Sequence, residues 1–218
     1  MTRVVCVGSN IESRAVLQAL FEDGAEVVGV VVRPPSPGVS DYADVTDVAV
    51  EAGAAVVQTT DINSPATLQE IRELEPDYIY TLGWSQLFRE ELLSIPAEYV
   101  VGSHPSPLPQ GRGRAPVPWT ILQQQASSAI SLFRMDPGID SGALLVQRWF
   151  DVPQGAYASE VYDLTTEHMV EAFRELYRAH ASGEEIAELS QDHSLASYRA
   201  KRAPADGHLD FHRPAADL

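Results

Sequence analysis

Two side chains in this sequence stand where ordinary packing gives no reason for them: His104 and Asp140. His104 opens the run His104-Pro105-Ser106-Pro107-Leu108-Pro109, which continues through Gly111-Arg112 and Gly113-Arg114 to Trp119. Proline fixes φ and removes a backbone donor, so neither helix nor central strand is expected over Val101 to Trp119. Asp140 lies in Met135-Asp136-Pro137-Gly138-Ile139-Asp140-Ser141-Gly142, a Gly/Pro-punctuated turn that leads into a second apolar run. An imidazole gives and takes a proton near neutral pH, and a carboxylate beside it orients the ring. The two are therefore expected to meet across an active site that performs general acid–base work. Asp136 reads as a turn former. His168, His180, His193, His208 and His212 read as ordinary polar residues. No two histidines or carboxylates have metal-ligand spacing, so no metal is expected.

The elements that must position this pair follow from apolar patterning. Arg3 to Val7 reads as a strand, followed by the turn Gly8-Ser9-Asn10 and a helix from Ile11 to Phe21. That turn either caps the helix or holds an anion at its N-terminus. Strands are expected at Ala25–Val32, Ala54–Val57, Asp77–Leu82 and Glu98–Val101, and two more at Ala129–Met135 and Ala143–Phe150. Helices are expected at Asp41–Ala52, Pro65–Leu74, Leu87–Leu93 and Val117–Gln125. A long helix capped by Ser159 runs to Ala181 and stops at Gly183. Pro34 to Gly38 reads as a flap over the site. The fold expected is α/β: a Rossmann-like, mostly parallel twisted sheet with helices on both faces. Residues 1–190 form the catalytic domain and 191–218 a tail segment.

The chain has 218 residues, 44% hydrophobic and 21% charged, which is globular and ample for a sizeable core. Its formal net charge is -16, with 31 acidic against 15 basic residues. That field opposes nucleic acid but allows a small phosphorylated ligand held by local arginines. The N-terminus shows no basic-then-apolar leader, no apolar run approaches a membrane span, and Cys6 is the lone cysteine. A cytoplasmic protein without membrane partners is expected.

The stretch around His104 and the turn around Asp140 resemble the folate-dependent formyltransferase family, whose members move a formyl group from 10-formyltetrahydrofolate to an amine. The family's first motif is Asn-any-His, then Pro or Gly, Ser, Leu-Leu-Pro, later Arg-Gly and Ala-Pro, then Trp. His104, Ser106, Leu108, Pro109, Arg112, Gly113, Ala115, Pro116 and Trp119 fall on it. Ile139, Asp140, Ser141 and Gly142 fall on the second motif, and Gly102 stands where the family carries the asparagine of its Asn/His/Asp catalytic set.

The resemblance implies that His104 and Asp140 are catalytic, with Gly102 as the third position. It implies that Gly83, Trp84, Ser85, Gln86, Leu87 and Phe88, with Asp136, Pro137, Gly138 and Ile139, hold the folate co-substrate. It places Gly8, Ser9, Asn10, Ser106, Arg112, Gly113 and Arg114 toward the acceptor. By residue type alone, Trp84 could instead be core, and Arg112 and Arg114 solvated loop charges.

Transfer passes through a tetrahedral intermediate whose oxyanion needs donors, and losing one costs about 10²–10³ in rate. Protonated His104, a backbone amide near Ser103, the Gln86 side chain or water could replace the asparagine. A carboxamide-sized pocket is expected beside Gly102.

The tail Tyr198 to Phe211 resembles, more weakly, a segment of amino-sugar formyltransferases. The acceptor expected is therefore a small amine, an amino-sugar nucleotide. Glycinamide ribonucleotide is the rival, opposed by the first turn, which lacks that enzyme's extra glycine step. Methionyl-tRNA is opposed by the acidic charge and by the lack of the larger C-terminal domain of the tRNA-acting enzymes. Gly102 also leaves open a folate- or nucleotide-binding protein without transferase activity, and a hydrolase releasing formate. A homodimer is compatible with the sequence.

Overall fold

The computed structural model describes residues 2–35 and 41–214. Residues 36–38 of the expected Pro34–Gly38 flap lie outside the described residues. One seven-stranded sheet organises the chain, in the order β3-β2-β1-β4-β5-β7-β8. Its strands are β1 (Val4–Val7), β2 (Val27–Val32), β3 (Ala55–Gln58), β4 (Tyr78–Thr81), β5 (Tyr99–His104), β7 (Ser127–Arg134) and β8 (Leu144–Asp151). The first five strands in that order are parallel; β7 pairs antiparallel with β5, and β8 with β7. A short ladder joins β6 (Arg112–Gly113) to β9 (Tyr198–Arg199), and α5 (Pro116–Leu122) begins within the stretch expected to hold no helix, with Pro116 at its first position, where a missing N–H costs nothing.

Successive strand side chains point to opposite faces, and here both faces are apolar, as buried parallel strands require. Val4 and Cys6 face one core, with α1 (Ile11–Glu22), α2 (Thr46–Glu51) and α6 (Ala158–Ser182) packed over it. Val5 and Val7 face the other, covered by α3 (Pro65–Glu73) and α4 (Glu90–Leu93). The apolar stripe of α6, including Met169, Ala172, Phe173 and Leu176, seats it on the first core. No helix among the described residues is long and apolar enough to cross a membrane.

Of the boundaries that differ from the sequence expectation, three have a clear local reason. Helix α2 starts at Thr46, not Asp41, because the Asp41 carbonyl accepts from Ile11 N–H and Ala43 N–H donates to Ser9. The Asp44 carboxylate then caps the helix by accepting from Thr46 N–H at 2.9 Å. Helix α6 is capped by Glu160, whose carboxylate accepts Tyr157 N–H at 2.7 Å, not by Ser159. Strand β5 runs on through Gly102 and Ser103 to His104, because β7 supplies an antiparallel partner that pairs Gly102 with Phe133 and His104 with Ser131. The catalytic histidine candidate is thus a strand residue.

At the opposite end of β4 and β5, the last turn of α6 buries His180 between tyrosines. Tyr80 Oη lies 2.6 Å from its Nδ1 and Tyr99 Oη 2.8 Å from its Nε2, with the Tyr78 ring stacked on the imidazole. His180 is 7% exposed, and burial pushes its pKa down to about 4. A folded-state pKa below the unfolded value means that the unfolded chain binds the proton first. This contribution is therefore complete above the unfolded value and is lost as pH falls toward 4. Between pH 7 and pH 5.5, this group's share of the fall in urea stability should be about 1 kcal/mol. His180→Gln should flatten that slope, and an unchanged slope in the variant would place its origin elsewhere.

Candidate active site

Strand β5 carries His104 to the carboxyl end of the sheet, and the β7–β8 turn carries Asp140 to it. His104 Nδ1 faces Asp140 Oδ2 at 3.7 Å. On its other side, His104 Nε2 lies 2.9 Å from the Gly111 carbonyl. A carbonyl only accepts, so Nε2 carries the hydrogen and Nδ1 is left toward the carboxylate. A proton gained on Nδ1 would lie against Asp140. The pair opens to solvent on the Asp140 side, whose side chain is 21% exposed against 7% for His104. Asp140 adopts a left-handed backbone conformation (φ 50°), uncommon outside glycine, asparagine and aspartate. Its Oδ2 accepts Gly113 N–H at 2.8 Å, while Oδ1 has no hydrogen-bond partner among the described residues. Asp136 closes the turn: its Oδ1 accepts from Gly138 N–H at 2.9 Å and from Ser141 Oγ at 2.7 Å. Pro137 and Ile139 lie in the same turn, and Ile139 is exposed.

Gly102 lies on the same face of β5 as His104, two residues earlier. A β-carbon at Gly102 would stand 2.5 Å from Cζ of Phe133, its cross-strand partner. The expected carboxamide-sized pocket is absent, because the buried Phe133 ring fills that space. Of the expected substitute donors, the Gln86 side chain is engaged. Gln86 donates from Nε2 to Thr60 O at 2.8 Å and accepts Ile62 N–H at Oε1. Ser103 Oγ donates to Thr81 O at 2.6 Å.

The His104 loop is held by the tail. Ser106 is fully buried, and its hydroxyl donates to Gln110 O at 2.9 Å, which turns it into the loop and away from any acceptor. Arg112 is 1% exposed and is neither a solvated charge nor a group held out to an acceptor. Its guanidinium donates to Gln191 Oε1 from Nε (3.2 Å) and Nη2 (2.6 Å), and from Nη1 to Tyr198 Oη (3.1 Å). Gly113 has φ 102°, and a β-carbon there would come within 2.6 Å of the Arg199 carbonyl. Only glycine lets β6 lie this close to β9. Arg114 is exposed, with its backbone N–H on Arg199 O.

Other expected contacts gather in a second place. Ser9, Asn10, Gly83, Trp84, Ser85 and Gln86 line a cavity of about 640 Å³ with Arg33 and Tyr42, at the carboxyl ends of the strands. Asn10 caps α1, accepting Ser13 N–H at 2.8 Å, so the capping role expected of the turn is filled. Gly8 leads into that turn, with the space beside it taken by the Ser13 side chain. Leu87 is exposed, and Phe88 is buried in the core under α3 and α4, which takes its side chain out of the folate set.

Sequence reasoning missed Arg33, Phe133 and Gln191. The Arg33 guanidinium stacks over Trp84, 4.3 Å from the ring centroid, and makes no ion pair among the described residues. Burial, then the neighbouring Arg114, lowers its pKa. Its one signal in the sequence was an arginine directly after an all-apolar strand. Among the described residues no group of three His, Cys, Asp or Glu side chains could hold a metal.

Residues 2–176 match the Formyl transferase family model. A methionyl-tRNA formyltransferase of Chloroflexus aggregans is 31% identical over 217 residues, covering 98% of this chain and 70% of that protein. One from Caldanaerobacter subterraneus subsp. tengcongensis is 29% identical over 221 residues, covering 99% and 71%. Among solved structures, WlaRD, a sugar 3N-formyl transferase crystallised with dTDP and 5-N-formyl-THF, superposes with a TM-score of 0.74 at 20% identity, covering 93% of this chain and 70% of that one. Glycinamide ribonucleotide transformylase 1 from Symbiobacterium toebii superposes with a TM-score of 0.72 at 18% identity, covering 87% and 95%. These structural likenesses bear out the α/β formyltransferase fold. The chain belongs to the formyl transferase family, and is an enzyme that transfers formyl groups.

Proposed function

We propose that this enzyme moves a formyl group from 10-formyltetrahydrofolate to the amine of a small acceptor, an amino-sugar nucleotide. The observation that carries the reading is His104 backed against Asp140, with the open oxygen of Asp140 toward solvent. The acceptor nitrogen attacks the formyl carbon, and a C–N bond forms as the carbonyl π electrons move to oxygen. The nitrogen's proton passes to the Asp140–His104 pair. Collapse of the intermediate breaks the bond to N10 of the folate, which takes the proton back. With Phe133 over Gly102, the Gln86 amide engaged, and the two ring nitrogens of His104 facing the Gly111 carbonyl and Asp140, oxyanion stabilisation falls to backbone amides.

The acceptor class is supported by the cavity beside Trp84. Arg33 there makes no ion pair among the described residues, although Asp41 lines the same cavity, and an acceptor phosphate would supply a counter-charge. The crystallised formyltransferase from Helicobacter canadensis, in complex with folinic acid and dTDP-3-aminofucose, has a TM-score of 0.75 over 99% of this chain and 77% of that one at 18% identity, and gives the reading a structural precedent. A second reading, methionyl-tRNA, is favoured by the names of the sequence relatives. It is opposed by a chain with 31 acidic against 15 basic residues. A panel of dTDP- and UDP-amino sugars, glycinamide ribonucleotide and methionyl-tRNA, with formate release measured in the absence of amine, separates these readings from a hydrolase. Formylation of an amino-sugar nucleotide is expected. Turnover of methionyl-tRNA alone would overturn the acceptor assignment, and formate release alone would overturn transfer.

With the active acceptor in hand, His104→Ala and Asp140→Asn should each lower kcat by about 10² or more while the fold persists by circular dichroism. Arg33→Met should raise KM for a phosphorylated acceptor about tenfold with little change in kcat; an unchanged KM would remove Arg33 from the acceptor site. Gly102→Asn should lower both Tm and the transfer rate, since its β-carbon would collide with the Phe133 ring. Adding Phe133→Ala should recover much of the lost stability. A faster and equally stable Gly102→Asn single variant contradicts this packing.

A further inference from the structure

We infer that Gln191, in the tail, is a positioning residue for formyl transfer: it holds the Asp140 turn against the loop that supports His104. The inference rests on the formyl-transfer reading of the His104–Asp140 pair. Gln191 is 6% exposed, and every polar atom of its amide is used. Its Nε2 donates to Asp140 O at 2.9 Å and to Gly142 O at 2.7 Å. Its Oε1 accepts Arg112 Nε and Nη2 at 3.2 Å and 2.6 Å. The amide orientation is fixed by chemistry, since two carbonyls can only accept and a guanidinium can only donate.

The partners of this one amide are the two pieces that make the catalytic pair. Asp140 and Gly142 are the turn. Arg112 sits between Gly111, whose carbonyl accepts from His104 Nε2, and Gly113, whose N–H donates to Asp140 Oδ2. A bridge between Leu144 and Leu189 brings the tail to the base of the turn. The Asp140 carbonyl bonded by Gln191 belongs to the residue whose φ is 50°. A hydrogen bond at that carbonyl resists relaxation of the peptide toward a commoner conformation, which would swing the carboxylate away from His104. Few other side chains serve here. Glutamate keeps an acceptor for Arg112 but faces two carbonyls with an oxygen, and leucine removes both functions.

The test uses the full chain carrying Gln191→Glu or Gln191→Leu, with two readouts. Amide exchange needs no acceptor. Gly113 N–H bonds to the Asp140 carboxylate, whereas Arg112 and Arg114 N–H bond to the tail carbonyls of Ser197 and Arg199. In Gln191→Glu, Gly113 N–H should exchange about tenfold faster while the other two stay protected. Equal acceleration of all three would show that the tail has undocked and that Gln191 is only an anchor. No change at Gly113 would show that Asp140 does not depend on it. Either result overturns the assignment.

The second readout is kinetic. Gln191→Glu should lower kcat about tenfold to a hundredfold, as a displaced catalytic group does, with KM for the folate within about threefold. Combined with Asp140→Asn it should cost little more than Asp140→Asn alone, because it acts through that residue. Full additivity in the double variant overturns the proposal. Wild-type protein inactive with every amine would instead count against the transfer reading, and the exchange result for Gln191 would stand or fall by itself. Gln191→Leu serves as the second variant if the glutamate's charge unfolds the turn.

Discussion

One oxygen of Asp140 is the point on which the site turns. The Gly113 amide donates to it, and the His104 ring faces it. A backbone N–H bonded to a carboxylate is a charge-assisted contact, roughly twice as strong as a neutral one. It works only if the loop bearing Gly113 is rigid, and that loop has no helix or long strand of its own. Its rigidity comes from outside: from the β6–β9 ladder, from the Ser197 carbonyl and hydroxyl, and from buried Arg112. The sheet contributes one thing to this corner, the antiparallel pairing of β5 with β7. That pairing fixes His104 opposite Ser131 and sends the chain into the Asp140 turn.

The sheet and its helices were legible because their signals are local. Short β-branched apolar runs bounded by turn residues, such as Val4–Val7, read as two-faced buried strands, and Asn10, Ser64 and Gly183 punctuate helices in recognised ways. His104 and Asp140 were legible because proline and glycine mark the loops around them. Hidden were the partners of polar groups across long sequence separations. Arg112 reads as a loop charge until Gln191 and Tyr198 are seen around it, and nothing in its neighbours announces them. Phe88 and Trp84 are both aromatic residues at a strand exit, yet Phe88 is buried within the core, while Trp84 packs against that core from its edge and faces a cavity with Arg33. The sequence pattern carries no sign of that difference, since it depends on which way the chain turns after Gly83.

Gly102 and Phe133 show how a candidate catalytic position and a packing position can be one problem. They face each other across two antiparallel strands, so the volume of one sets the room for the other. A side chain at 102 needs a smaller residue at 133, and an aromatic ring at 133 demands glycine at 102. The ring also brings apolar surface close to the histidine.

Arg112 has a consequence for how this enzyme comes into being. A guanidinium sealed from water needs its acceptors from the moment it is enclosed, and two of them, Gln191 and Tyr198, belong to the last part of the chain. While the chain is being synthesised, the sheet strands can pair as they emerge, but the His104 loop must wait, open and hydrated, until the tail arrives to close it. The nascent enzyme therefore holds a formed scaffold and an unformed reaction centre. Proteolysis between α6 and Gln191 would return the mature protein to that state, with its sheet paired and the His104 loop open to water.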